Sequence, residues 1–102
     1  MTEELKKELV DALVKATDPV RIMIKGPFPP DWDMDNDYHI LLVVKDGQDK
    51  NEARKSAFWV LPGSVNAYIV VVNESEFRKG IEYKESLEEN FVNNGETLYE
   101  KP

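Results

Sequence analysis

One stretch limits what this chain can fold into: Tyr38-His39-Ile40-Leu41-Leu42-Val43-Val44. Side chains alternate between the two faces of a strand, and past position 39 every residue is apolar, so both faces need cover. A strand of that kind is stable at the centre of a sheet, with a layer packed on each side. The neighbouring segments can supply both sheet and layers. Val20 to Ile24 and Val65 to Val72 read as further strands, rich in β-branched residues. Leu5, Leu9 and Leu13 recur every four residues, with Val10 and Val14 beside them, and mark Thr2 to Ala16 as an amphipathic helix. Thr2 can cap it, and Glu3 and Glu4 suit the positive end of its dipole.

Asp49 or Asn51 can cap a second helix that runs to about Leu61, with Ala53, Ala57, Phe58 and Leu61 as its buried stripe. Trp59 follows Phe58 directly, so both rings cannot point inward, and one of them is expected to be partly exposed. Pro62-Gly63 breaks that helix. A short helical turn is expected over Glu74 to Gly80, anchored by Phe77. Ser86 to Asn93 reads as a last helix, ended at Asn93-Asn94-Gly95 by a left-handed cap. Thr97 to Tyr99 is a short extended piece. The expected fold is α/β (α+β), a mixed three- to four-stranded sheet with flanking helices in one domain spanning residues 1–102.

Composition narrows the function classes. The formal charge of −7 disfavours broad nucleic-acid binding, which needs basic residues in excess. No apolar run approaches the ~20 residues of a membrane span. The charged opening MTEELKKELV lacks a signal-peptide core, and there is no cysteine for a disulfide or thiolate metal site. A cytoplasmic location is expected.

The remaining segment, Gly26 to Asn36, is a loop with three prolines and three aspartates, and it leads through Asp37 into the central strand. Read as GPFPPDWDMDNDYHILLVV, it resembles the active-site segment of the minimal nucleotidyltransferases of the DNA polymerase beta superfamily. Their motif is Gly-Ser, a polar loop, then Ser-Asp-x-Asp running into an apolar strand. The tail is similar too: Glu76-Phe77, Gly95 and Leu98-Tyr99-Glu100 fall where that family's closing pattern has them. The resemblance covers Val20 to Glu100 and implies a nucleotidyltransferase-like fold.

It also implies the chemistry against which this chain is read. Such enzymes clamp the attacking and leaving oxygens with two divalent cations, which hard carboxylate oxygens hold. Here the catalytic positions read Asp37 and His39, so the first carboxylate is kept and the second is an imidazole. The third acid aligns with Tyr68 or a neighbour, and Ala67, Tyr68 and Ile69 include none. The nucleotide-binding Gly-Ser reads Gly26-Pro27, which removes a hydroxyl and an N–H, and Pro29 and Pro30 remove two further donors.

A pseudoenzyme with no cofactor follows from these departures, acting through a protein partner or self-association. In the family, domains of this size pair with helical HEPN-type proteins in toxin–antitoxin modules. The enzyme alternative places a relocated metal site at Asp35, Asp37 and His39, a ligand set that suits manganese or zinc better than the magnesium of the family. The plainer reading of Asp31, Asp33, Asp35 and Asp37 is a solvated acidic loop, with Trp32 and Met34 tucked inward. His39 is read either as a general base or as a strand histidine hydrogen-bonded to Asp37. A third possibility is a structural or oligomeric domain with no ligand.

Overall fold

The computed structural model describes residues 1–28 and 37–102. In chain order the elements are α1 (Glu3–Thr17), β1 (Arg21–Lys25), β2 (Tyr38–Val44), α2 (Lys50–Val60), β3 (Ala67–Asn73), α3 (Glu74–Gly80), α4 (Leu87–Asn94) and β4 (Glu96–Glu100). The four strands form one sheet in the order β3-β2-β1-β4. β1 is antiparallel to both of its neighbours, whereas β2 and β3 run parallel, joined by the α2 crossover that parallel pairing requires. The sheet is therefore mixed and four-stranded, as expected.

The two-sided apolarity of β2 finds its two layers. Ile40, Leu42 and Val44 join Leu9, Leu13, Ala53 and Ala57 in a core beneath α1 and α2. Leu41 and Val43 join Met23, Val72, Phe77 and Phe91 on the opposite face, beneath α3 and α4. Removing each such large side chain from water contributes about 1.5–3 kcal/mol. This burial, distributed over both faces, outweighs any single surface ion pair.

Helix ends are set locally. The Thr2 hydroxyl accepts from the Leu5 N–H at 3.1 Å. Asp49 rather than Asn51 caps α2, accepting from Asn51 and Glu52 N–H at 2.9 and 3.1 Å. Ser86 caps α4, accepting from Glu89 N–H at 3.0 Å. Two expectations are corrected. Gly95 follows α4 with φ −103°, an extended conformation, because the chain turns straight into β4. Phe58 is 64% exposed, and the face of α2 turned to the core is carried by the buried Ala53 and Ala57 with Val60 and Leu61 partly buried beside them.

The start of α3 is tied to the β2–α2 loop. Asn73 and Glu76 form a reciprocal capping box, and both the N–H and the hydroxyl of Ser75 donate to the Asp46 carboxylate. Ser75 donation, from the hydroxyl first, lowers the Asp46 pKa, and donation from the Asn73 N–H, aided by Lys50, lowers that of Glu76. A depressed carboxylate pKa stabilises the fold above the ordinary carboxylate value, and the stabilisation is lost as pH falls through the folded value. Urea midpoints should therefore fall as the pH drops below about 4.5, the ordinary value for Glu76. The fall should be smaller in Ser75→Ala, which removes the hydroxyl donor to Asp46, and in Lys50→Ala, which removes the side-chain donor to Glu76. A drop of equal depth in both variants would show that these hydrogen bonds are not its source.

Candidate functional site

The positions marked by the motif lie at the end of the sheet where β1 finishes and β2 and β3 begin. Antiparallel register sets Lys25 opposite His39, and parallel register sets His39 opposite Tyr68. Cross-strand partners share a face, so Lys25, His39 and Tyr68 line the same side of the sheet as Leu41, Phe77 and Phe91. The short helices α3 and α4 cover the apolar part of that face, and these three side chains lie beyond its apolar residues.

Aromatic contacts fill this end. The His39 ring lies 4.6 Å from the Phe28 ring, centroid to centroid, and 6.0 Å from that of Tyr68, edge to face. These spacings fall in the favourable range for ring pairs. Around the edge of β3 the Arg54 guanidinium lies 5.7 Å from the Tyr68 ring centre, a cation–π contact. On the β1 side the Lys25 ammonium lies 4.7 Å from the centre of the Phe91 ring and donates to Asn90 Oδ1. Burial pushes the Lys25 pKa below the usual lysine value. A cavity of about 540 Å³ opens here, lined by Lys25, Gly26, Pro27, Phe28, Asn90 and Asn94.

Gly26 and Asp37 are locked together through the backbone. Gly26 has φ +124° and joins Pro27 by a cis peptide bond. The Phe28 N–H donates to the Asp37 carbonyl at 2.8 Å, and the N–H groups of Asp37 and Tyr38 both donate to the Asn66 carbonyl at 3.1 Å. The first described N–H after Pro27 is thus already engaged within the protein. β2 begins at Tyr38, one residue after Asp37, so Asp37 sits on the bend that leads into the strand, with its side chain exposed.

Among the described residues the donor set does not fit a two-metal centre. Among the described residues no group of three or more His, Asp or Glu side chains is placed to hold a metal ion. Asp37 brings one carboxylate, His39 is packed between two rings, and the position opposite it is Tyr68. Magnesium prefers hard oxygen ligands in an octahedral shell, and neither an imidazole nor a neutral phenol substitutes for a carboxylate there. Asp35 and the other loop aspartates before Asp37 lie outside the described residues.

Sequence reasoning set Asp37, His39, Gly26 and Pro27 together, and these four residues lie on two segments at one end of the sheet, which assigns none of them a role. Lys25, Phe28 and Asn90 went unnoticed. Their signal was the β1–β2 register, which places a lysine opposite His39, and no local pattern reports a register.

No family model matches the chain, and no curated protein matches it either. Among solved structures it is similar to a protein from Sulfolobus solfataricus provisionally described as a nucleotidyltransferase. The two share 20% identity and a TM-score of 0.49 over 74% of this chain and 70% of that one. At this level the likeness assigns no role to any residue.

Proposed function

We propose that this chain is a catalytically silent relative of the minimal nucleotidyltransferases and works by binding protein. The observation that carries the reading is the ring pair His39–Tyr68, at the two positions where the resemblance puts the second and third carboxylates. Phosphoryl-type transfer depends on positioning and electrostatic stabilisation, so losing these ligands removes most of what such a fold contributes. The phosphate-binding turn is depleted in parallel. Pro27 offers no N–H, and that of Phe28 is engaged by Asp37.

Binding to protein is supported by exposed aromatic surface. Phe58, Trp59 and Tyr68 are 64%, 82% and 46% exposed and gather on one side of the molecule. Isolated exposed apolar residues need no explanation, whereas clustered large rings mark interaction surfaces. The family resemblance points to a helical HEPN-type partner, as in a toxin–antitoxin pair. Among the described residues no helix is long and apolar enough to cross a membrane.

Restoring the ligands tests the silent-site reading. Wild type should show no thermal stabilisation by millimolar magnesium or manganese, and no amide shifts on adding ATP. The His39→Asp, Tyr68→Asp variant, alone or with Pro27→Ser, should melt lower without metal, because like charges then face each other across β2 and β3. It should regain stability when manganese is added. Saturation at a hundredfold excess over the dissociation constant corresponds to ~2.7 kcal/mol. Strong manganese stabilisation of the wild type, lost in Asp35→Asn and His39→Ala, would replace this reading with an active enzyme using Asp35, Asp37 and His39.

A further inference from the structure

We infer that the free edge of β3, together with the α2 aromatics beside it, pairs with a second copy of this chain to form a closed dimer. The inference rests on the reading that the domain acts through its surface, and it names the surface and the occupant.

The two edges of the sheet differ in kind. β4 is guarded as natural edge strands usually are. It has five residues with glutamate at both ends, Glu96 bonded to Lys6 and Glu100 to Arg21. Its pairing with β1 is broken by an irregularity at Ile22/Met23. β3 carries none of these devices. It runs seven residues, Ala67-Tyr68-Ile69-Val70-Val71-Val72-Asn73, without a charge or a proline. Its register with β2 continues unbroken from Tyr38↔Ala67 to Val44↔Asn73. Its outer side thus presents an uninterrupted backbone edge, which among the described residues no other strand covers, with the Arg54 guanidinium against Tyr68 at its first end.

The aromatic cluster lies along the same edge. Arg54, Phe58, Trp59 and Tyr68 line a groove of about 310 Å³ between α2 and the start of β3. The exposed parts of the three rings amount to on the order of 400 Å² per copy, since each such residue can bury ~150–250 Å². Two copies therefore bring roughly 800 Å² before the strand edges are counted, against the ~1,200 Å² at which specific interfaces begin. A two-fold axis perpendicular to the sheet makes β3 antiparallel to itself and places the two α2 helices on the same side of the joined sheet. Pairing centred near Tyr68 brings both sets of rings to the seam. Because only one edge of each copy is unguarded, assembly stops at two instead of extending into a fibre.

Net charge separates this occupant from an acidic partner docking on Arg54 and Lys55. Two copies of charge −7 repel one another, so their association should strengthen as salt screens them, whereas an acidic partner would be released. The experiment is analytical ultracentrifugation of the full chain from 1 to 300 μM, in 50 and 500 mM salt. The expected species is twice the 11.7 kDa chain mass, with a dissociation constant that falls at high salt. Trp59→Glu and Phe58→Lys, both on the exposed face of α2, should weaken it at least tenfold while keeping the wild-type circular dichroism and melting curve. Tyr83→Glu, an exposed ring away from the groove, should not. Amide exchange in residues 67–73 should slow as concentration rises. A wild type that stays monomeric throughout, or a dimer untouched by both α2 substitutions, overturns the inference. The metal titration above, run on the same samples, separates the two readings. A monomer that ignores manganese removes only the dimer, and a dimer that binds manganese tightly removes only the silent site.

Discussion

Phe91→Ala should cost about 3–5 kcal/mol, a large share of the ~5–15 kcal/mol that holds a domain of this size together. Phe91 is fully buried, and it sits in the smaller of the two cores with Met23, Leu41, Val43, Val72 and Phe77. Among the described residues this face is covered by two short helices, α3 and α4, of seven and eight residues. Each is too short to persist without tertiary packing. Neither can close readily over the volume of a missing ring, so most of the cavity should remain. The loss should also release the Lys25 ammonium from its contact with that ring, 4.7 Å away. Urea unfolding measures the total effect. Native-state hydrogen exchange should then show Leu87 to Asn94 losing protection before α1 and α2. A cost under about 1 kcal/mol would mean that the second face contributes little to stability, contrary to the two-core description.

Gly26→Ala should be nearly as damaging, at about 2–4 kcal/mol. Two effects combine. At φ +124° an L side chain is strained, by roughly 1–3 kcal/mol. A Cβ at this position would also lie 2.7 Å from the Asp37 carbonyl oxygen and 2.8 Å from Tyr38 Cδ1. The carbonyl cannot easily give way, because it already accepts from the Phe28 N–H at 2.8 Å and belongs to the residue that leads into β2. Relief by shifting the loop would move the Asp37 end of the candidate site away from His39. Gly63→Ala is the control: its Cβ meets nothing within 4 Å, so it should change stability by less than about 0.5 kcal/mol. Equal melting temperatures for the two variants would show that the Gly26 turn tolerates a side chain.

Gly26 also shows how a resemblance can report on fold without reporting on activity. A resemblance built on the order of motifs tracks backbone requirements, such as a tight turn before a central strand. Those requirements persist when the side chains that did the chemistry are replaced. Here the Gly26 turn stands before the central strand, and the positions where the resemblance places the second and third carboxylates hold His39 and Tyr68, opposite each other across β2 and β3. The proposal of a silent site therefore depends on Pro27, His39 and Tyr68, and the fold depends on the two cores.

What the sequence determined by itself was local or periodic. The apolar run Ile40 to Val44 demanded a central strand covered on both faces, and it occupies one. The spacing of Leu5, Leu9 and Leu13, with Thr2 before them, set α1 and its start. Gly26 and Pro27 ended β1. Each of these signals resides within a few neighbouring residues, where periodicity and capping act. Tertiary structure decided everything that depends on which strands meet. β4 became a strand by pairing with β1, though Thr97 to Tyr99 alone could indicate no more than extended chain. The β2–β3 register set Tyr68 against His39, and the β1–β2 register brought Lys25 to the same end. Phe58 turned to solvent while Ala53, Ala57, Val60 and Leu61 seat α2 on the sheet. Hydrogen bonds between strands join residues far apart in the chain, and the energy that selects one register comes from packing both faces at once. No window of neighbouring residues contains that sum.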